Sequence, residues 1–268
     1  MQNAALEATG LDAVYLAFRV ASPSLLMALE GFKAIGLSGF NVTIPHKVAV
    51  MRHLDDLEEP AATIGAVNTV VNHNGRLVGH NTDGAGALAA LRESGVEPSG
   101  KRVLLLGSGG AARALAFTMA ETAENLTILN RTISKARTLA EDIRRITGTT
   151  SVTGGGANPS TLKNAAAQSN MVVNATSIGM NPNARETPIA KELLRPDMVV
   201  FDIVYSPLET RLLRDAGQVG AKCVNGLTML VCQGAQAFKL WTRAEAPVSA
   251  MKEALTTVLK AKSDRGPD

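Results

Sequence analysis

One lysine of this chain stands where it could transfer a proton. Lys47 ends the run Asn-Val-Thr-Ile-Pro-His-Lys at residues 41–47, which follows an apolar stretch typical of a strand. Pro45 has no backbone N–H and a fixed φ, so we predict that the strand ends there and that a helix begins, with Lys47 in its first turn. A lysine held at the edge of a cleft is suited to general acid/base chemistry, whereas a lone surface lysine is most often simply solvated.

Asp83 is the second candidate for chemistry, in the run His-Asn-Thr-Asp-Gly at residues 80–84. By itself, an aspartate in front of a predicted helix is most simply explained as a helix cap. Near Lys47, Asn68 and Thr69, however, it would complete a small polar cluster that could bind several hydroxyl groups of a substrate. We expect the neighbouring His46 to be a hydrogen-bonded structural residue and not a catalytic one.

A glycine-rich loop predicts a dinucleotide site. Residues 104–113 read Leu-Leu-Leu-Gly-Ser-Gly-Gly-Ala-Ala-Arg, an apolar strand that runs into glycines and then a helix. Gly107 permits the tight turn, Gly109 lets the backbone approach a pyrophosphate, and Ala112 allows close helix–strand packing. The pyrophosphate would lie at the helix N-terminus, where free N–H groups and the helix dipole favour anions.

The end of the next strand indicates which dinucleotide binds. Proteins specific for NAD usually carry an acidic residue there, which holds the ribose 2′-hydroxyl. Here the strand ends in Leu-Asn-Arg-Thr, and Lys135 follows shortly. The Arg131 guanidinium suits a 2′-phosphate, and Thr132 and Lys135 add a hydroxyl donor and a positive charge. The alternative is an ordinary surface arginine; we predict NADP.

The elements that must position these residues alternate between strand and helix. We predict strands at 13–18, 39–42, 102–106, 126–129, 171–174 and 198–203, a hairpin over 66–80 that turns at Asn74-Gly75, and a loop at 153–156. The pattern predicts an α/β fold with a doubly wound parallel sheet. We expect residues 83–225 to form the NADP-binding Rossmann domain. Residues 1–82 would form the substrate domain, on which the C-terminal helices at 226–268 pack.

Composition excludes several classes of function. The chain has 268 residues, 46% of them hydrophobic but only 3% aromatic, and a net charge of +3. That charge is too small to indicate binding to nucleic acid or to an anionic membrane, and no run of about 18 apolar residues could span a bilayer. Cys223 and Cys232 have no metal-site spacing, so we expect no metal. The first residues lack the features of a signal peptide, which predicts a cytoplasmic protein.

Eight motifs together resemble one family. They are NVTIPHK (41–47), GAVNT (65–69), NTDGAG (81–86), GSGGAAR (107–113), NRT (130–132), NATSIGM (174–180), DIVYSPLET (202–210) and NGLTMLVCQGAQAF (225–238). In this order, over nearly the whole chain, they closely resemble the shikimate dehydrogenases. The resemblance implies NADP-dependent, reversible reduction of 3-dehydroshikimate to shikimate, a step of aromatic amino-acid biosynthesis.

The resemblance also implies roles for individual residues. Lys47 would be the acid/base at the reacting hydroxyl, paired with Asp83. The substrate-binding positions would be Thr43, Lys47, Asn68, Asp83, Tyr205 and Gln233. The positions that hold NADP would be Gly107, Ser108, Gly109, Gly110, Ala111, Asn130, Arg131, Thr132 and Lys135, with Ala175, Thr176, Met180, Ile203 and Gly226 on the nicotinamide side.

The match has one gap, and alternatives stay open. The family places a Ser-x-Ser-Pro segment and a strand before the helix that corresponds to residues 1–9; either the start codon is assigned too late, or the chain is shortened and weakly active. A protein that binds NADP without turnover, as a sensor, is one alternative, and a quinate/shikimate dehydrogenase is another. A different Rossmann oxidoreductase or a tetrahydrofolate dehydrogenase relative would leave the 41–47 motif and the Gln233 helix unexplained. We expect a monomer or a homodimer.

Overall fold

The computed structural model describes residues 1–264, which form two β-sheets and the helices around them. The helices are α1 Gln2–Ala8, α2 Leu25–Ala34, α3 Ala61–Ile64, α4 Asp83–Glu93, α5 Gly110–Ala120, α6 Ile133–Thr147, α7 Pro159–Gln168, α8 Arg211–Gln218, α9 Gly226–Thr242 and α10 Val248–Asp264. The strands are β1 Gly39–Asn41, β2 Asp56–Leu57, β3 Thr69–His73, β4 Arg76–His80, β5 Arg102–Leu106, β6 Asn125–Asn130, β7 Val152–Gly156, β8 Met171–Asn174, β9 Val199–Asp202 and β10 Lys222–Asn225.

The larger sheet has six parallel strands in the order β10-β9-β8-β5-β6-β7. Its central strand β5 shows why an unbroken apolar run builds such a sheet. Val103 and Leu105 are buried in the core on one face, and Leu104 and Leu106 are buried in the core on the other. Because successive side chains of a strand point to opposite faces, a sheet covered by helices on both sides needs apolar residues at every position. The predicted α/β fold is confirmed.

The strand order reverses between β5 and β8, which are neighbours in the sheet although a long segment separates them in the chain. In open parallel sheets, ligands bind outside the carboxyl ends of the strands at such a reversal. Leu106 and Asn174 end these two strands side by side. The chain therefore opens a crevice at the loops that start with Gly107 and Ala175.

The smaller sheet has the order β1-β3-β4-β2 and contains the predicted hairpin. At its turn, Asn74 and Gly75 have φ of 53° and 94°, the left-handed conformation that a type I′ turn needs at both positions. One face of this sheet packs on α2, where Leu29 is buried with Val70 and Leu77. The hairpin prediction is confirmed, and it fixes where Asn68 and His80 stand at the ends of its two strands.

The last two helices return to the start of the chain. Leu6 of α1 is buried with Phe238 of α9 and Met251 of α10. Helix α9 also packs closely on α4, since a Cβ added to Gly86 would lie 2.9 Å from Gln233 Cβ. Of the predicted C-terminal segment, residues 265–268 lie outside the described residues. Among residues 1–264, no helix has both the length and the apolar character needed to cross a bilayer.

Two predicted elements outside the 41–47 motif are wrong. Residues 13–18 form no helix or strand, and Val14, Leu16 and Phe18 are exposed. Residues 153–156, predicted as a loop, belong to β7 instead and pair with β6. The glycines there do not prevent a strand; Gly154 lies directly against the Ala136 backbone of α6, so a side chain at that position would not fit.

Candidate active site

Lys47 and Asp83 form a nearly buried ion pair. Lys47 Nζ lies 2.5 Å from Asp83 Oδ2, and the two side chains are 15% and 5% exposed. Asp83 is the first residue of α4, where the positive end of the helix dipole favours a carboxylate. The prediction that Lys47 lies in a helix is wrong: residues 44–45 and 47–48 form turns, a 3-10 helix begins only at Ala49, and the Lys47 carbonyl accepts the Val67 N–H at 2.8 Å. That tertiary hydrogen bond holds the lysine backbone beside the smaller sheet.

Asn68 joins the ion pair to its surroundings. Its Nδ2 lies 2.8 Å from Asp83 Oδ1, 2.9 Å from Thr82 Oγ1 and 3.3 Å from Gln233 Oε1. Its Oδ1 accepts the Thr82 N–H at 2.9 Å and the Thr69 hydroxyl at 3.0 Å. Both carboxylate oxygens of Asp83 therefore have a donor. A substrate hydroxyl that enters this cluster would meet donors and acceptors that are already oriented.

A cavity of about 850 Å³ collects most of the predicted substrate-side and nicotinamide-side residues. Every predicted substrate position lines it, namely Thr43, Lys47, Asn68, Asp83, Tyr205 and Gln233. So do five of the predicted cofactor positions, Ala111, Thr176, Met180, Ile203 and Gly226. The sequence places these residues in both halves of the chain, and the fold brings them to one concave site.

One wall of this cavity was not predicted. Gln2, Asn3, Tyr15 and Asn41 line it. Asn3 accepts the Tyr15 N–H at 2.7 Å and donates to the Tyr15 carbonyl at 3.0 Å, so α1 fixes the segment that contains Tyr15. The Tyr15 hydroxyl donates to Asn41 Oδ1 at 2.9 Å. Asn41 lies within the motif that drew attention to Lys47 and could have been found there. No sequence signal links Tyr15 to the site.

The glycine loop between β5 and α5 borders the same cavity. Gly107 has φ of 115°, and an added Cβ would lie 2.8 Å from the Ala175 carbonyl oxygen, so only glycine fits. Gly109 precedes α5, and nothing lies within 4 Å of its added Cβ, which leaves room for a ligand at the helix N-terminus. A Cβ on Gly110 would lie 2.6 Å from Lys47 Cβ. These observations fit a bound pyrophosphate and bring the loop into contact with the candidate proton donor.

The end of β6 carries the residues predicted to select NADP. Asn130 ends the strand and donates from Nδ2 to the Thr132 carbonyl at 3.1 Å. Arg131, Thr132 and Lys135 are exposed, and within residues 1–264 no carboxylate forms an ion pair with Arg131 or Lys135. Residues 130–135 include no acidic side chain. This donor set fits a 2′-phosphate and offers no acceptor for a ribose 2′-hydroxyl at the usual acidic position.

A buried hydrogen-bond network lies on the side of the cavity where the sequence predicts the nicotinamide. Asp202 is fully buried at the end of β9, and its carboxylate accepts from Asn174 Nδ2 at 2.9 Å, the Val204 N–H at 3.0 Å and the Thr210 hydroxyl at 2.6 Å. Asn174 Oδ1 in turn accepts the Thr176 N–H and hydroxyl. Burial raises the pKa of Asp202 to about 6. The network fixes the loop after β8 against the loop that carries Ile203 and Tyr205.

Known proteins resemble this chain over nearly its whole length. Family models match for the shikimate dehydrogenase substrate binding domain (residues 1–70), shikimate / quinate 5-dehydrogenase (residues 89–205) and the shikimate 5′-dehydrogenase C-terminal domain (residues 226–256). The shikimate dehydrogenase (NADP(+)) of Methanosarcina barkeri is 48% identical over 264 residues, which cover 97% of this chain and 92% of the relative.

Solved structures agree with this match. A shikimate dehydrogenase in complex with NADP+ superposes with a TM-score of 0.88 at 43% identity and covers 96% of this chain and 89% of its own. The enzyme of Thermus thermophilus in complex with NADP(H) and shikimate gives a TM-score of 0.85 at 38% identity, over 96% of this chain and 93% of that one. The chain belongs to the shikimate dehydrogenase family.

Proposed function

We propose that this protein reversibly reduces 3-dehydroshikimate to shikimate with NADPH. The main observation in support of the proposal is the Lys47–Asp83 pair, which lines the same cavity as Ala111 at the start of α5. The relatives named above support the substrate and the cofactor. A sensor that binds NADP without turnover is less favoured, because it would not need a nearly buried lysine beside the cofactor loop.

Lys47 would transfer the proton of the reaction, and Asp83 would hold Lys47 in place. NADPH, when bound, supplies the hydride that reduces the carbonyl carbon. As the carbonyl oxygen gains negative charge, Lys47 Nζ donates a proton to it; in the oxidation direction the lysine takes that proton back. Asp83 holds the ammonium group in place through Oδ2 while Asn68 occupies Oδ1. Because the pair is in direct contact, a pH–rate profile would report the pair and not either residue.

The remaining polar residues of the cavity would bind the substrate. We assign its hydroxyl groups to Thr43, Asn68, Tyr205 and Gln233. Gln233 supports this assignment, because its Oε1 stands 3.3 Å from Asn68 Nδ2 and thus within reach of the Asp83 cluster. The three hydroxyls of shikimate match a site that is rich in amide and hydroxyl groups.

The cofactor residues divide into three groups. Residues 107–111 would hold the pyrophosphate at the N-terminus of α5. Asn130, Arg131, Thr132 and Lys135 would hold the adenosine 2′-phosphate. The nicotinamide ring would lie against the remaining group, which consists of Ala175, Thr176, Met180, Ile203 and Gly226.

We further propose the division of labour between domains that the sequence predicts. Residues 83–225 would bind NADP, and residues 1–82 with the C-terminal helices would bind the substrate. A cytoplasmic monomer or homodimer is the form that we expect to act in this biosynthetic step.

The decisive experiment is an assay of NADP reduction at 340 nm with shikimate, quinate and buffer alone. We expect turnover with shikimate and a reduction of kcat by about 10²- to 10⁴-fold in Lys47→Met, the usual contribution of a positioned acid/base, with NADP affinity nearly unchanged. Preference for quinate would reassign the substrate. Equal turnover by the wild type and Lys47→Met would remove the role of Lys47.

A further inference from the structure

Arg113, in the first turn of α5, joins three parts of the molecule. Its Nε donates to the Ile64 carbonyl at 2.8 Å, and its Nη2 lies 3.0 Å from Asp142 Oδ2 on α6. The guanidinium carbon stands 5.8 Å from the centre of the Phe117 ring. The side chain is only 17% exposed. A guanidinium presents its donors in a rigid planar fork, so two partners held together in this way fix its orientation.

The Ile64 carbonyl, which Arg113 binds, directly precedes the segment that leads to Asn68 in the polar cluster around Asp83. Ile64 ends α3, and Gly65 turns the chain with φ of 70°. An added Cβ on Gly65 would lie 3.0 Å from Arg113 Nη2, so the guanidinium packs directly against this turn. Three residues later the chain reaches Asn68.

The same helical turn also touches the candidate proton donor. Gly110 packs against the Lys47 side chain, and the Lys47 carbonyl accepts the N–H of Val67, which belongs to the run after Gly65. The first turn of α5 thus contacts Lys47 at one end and, through Arg113, the turn that leads to Asn68 at the other. Its N-terminus is where we expect the pyrophosphate to bind.

We propose that Arg113 is a positioning residue, which sets the distance between the cofactor loop and the Lys47–Asp83–Asn68 cluster. The proposal rests on the function proposed above. Arg113 is fixed to the cofactor half by its own place in α5, with Asp142 as its ionic partner, and the Ile64 carbonyl is the point that its side chain holds in the substrate half. Hydride transfer requires the donor and acceptor carbons to be held in near-attack geometry, and a misplacement of about 1 Å can cost about 10²-fold in rate.

The test is Arg113→Met, which keeps the aliphatic stem and removes every donor. With shikimate and NADP we expect kcat to fall by about 10- to 100-fold, while the KM of each ligand changes by less than about 3-fold. The kinetic isotope effect with shikimate deuterated at the reacting carbon should rise, because a slower hydride transfer limits more of the turnover. A residue that only supports folding would lower the melting temperature without this split.

Two further variants isolate the bond to Ile64. Asp142→Asn removes the ionic partner but leaves the Nε hydrogen bond, so its kcat should stay near that of the wild type. Arg113→Lys keeps the charge but lacks the planar guanidinium that contacts both partners, so it should give an intermediate kcat. If Arg113→Met does not fold, Arg113→Lys serves as the test variant.

A kcat within about 2-fold of wild type in the Arg113 variants would overturn the proposal, and so would an equal loss of kcat in Asp142→Asn. A loss of NADP affinity that matches the loss of kcat would also overturn it, since Arg113 would then act on cofactor binding. Failure of the proposed function looks different, because the wild type itself would not oxidise shikimate.

Discussion

A methyl group at position 110 would collide with the lysine to which we assign the proton transfer. On the Gly110 backbone, an added Cβ lies 2.6 Å from Lys47 Cβ, 3.0 Å from Cδ and 3.3 Å from Cγ. Ordinary contacts of this kind begin at 3.4 Å. In Gly110→Ala, the two Cβ atoms must therefore move apart by about 0.8 Å.

Lys47 has little freedom to absorb that displacement. Its Cβ is tied to a backbone whose carbonyl accepts the Val67 N–H, and its Nζ is tied to Asp83. Either the lysine stem or the start of α5 must shift, and both alter the distance between the ammonium group and the cofactor loop. Since a misplacement of about 1 Å can cost about 10²-fold, we expect kcat of Gly110→Ala to fall by about 10- to 100-fold.

The stability of Gly110→Ala should change much less than its activity. Alanine favours a helix over glycine by up to about 1 kcal/mol, which offsets part of the steric cost at Gly110. The melting temperature of Gly110→Ala should thus stay close to that of the wild type while activity falls. That combination separates a misplaced lysine from a damaged fold.

Two matched glycine-to-alanine variants serve as controls in the 340 nm assay. Gly31 lies within α2, and nothing stands within 4 Å of its added Cβ, so Gly31→Ala should retain full activity. Gly109 is equally open to space, but that space is where we expect the pyrophosphate, so Gly109→Ala should raise the KM for NADP and leave kcat largely intact. Wild-type kcat in Gly110→Ala would refute the steric reasoning.

Two further predictions concern Arg131 and Asp202. Arg131→Ala should weaken NADP binding by about 1.5–3 kcal/mol in a fluorescence titration and spare NAD, because only NADP carries the phosphate; equal weakening would make Arg131 structural. Since burial raises the pKa of Asp202 from 3.8 to about 6, the folded state binds its proton more tightly than the unfolded chain, and this contribution to stability is lost as the pH rises through that range. The unfolding free energy of Asp202→Asn, taken relative to that of the wild type, should therefore increase by up to about 3 kcal/mol from about pH 4 to about pH 7. Urea denaturation measures this difference, and the same difference at both pH values would contradict the prediction.

The parts of the fold that local signals encode could be predicted from the sequence. The Leu-rich run of β5 predicts a strand buried on both faces, and Asn74-Gly75 predicts a type I′ hairpin; both are present. His46 was expected to be a hydrogen-bonded structural residue, and its Nε2 lies 2.9 Å from the Val20 carbonyl. In each case the information lies within a few residues or in a side chain's own chemistry.

Distant contacts decided the features that the sequence did not predict. Lys47 lies in turns and not in a helix, because its carbonyl accepts the N–H of Val67, which is twenty positions away. The Tyr15–Asn41 hydrogen bond spans 26 positions and helps to form a wall of the cavity that no motif predicts. Propensity and periodicity describe neighbours along the chain and are overridden where tertiary partners compete for the same backbone groups.

The glycines of the loop show how such a contact can hide inside a recognised motif. The dinucleotide pattern explains Gly107 by the turn and Gly109 by the approach of a pyrophosphate. Gly110 is different, since its missing side chain makes room for Lys47, which the chain places 63 positions earlier. A substitution there would act on proton transfer and not on the turn, although the sequence pattern assigns all three glycines to the cofactor. We therefore expect the first turn of α5 to serve both halves of the reaction, because its N–H groups would face the cofactor and Gly110 packs against the Lys47 side chain.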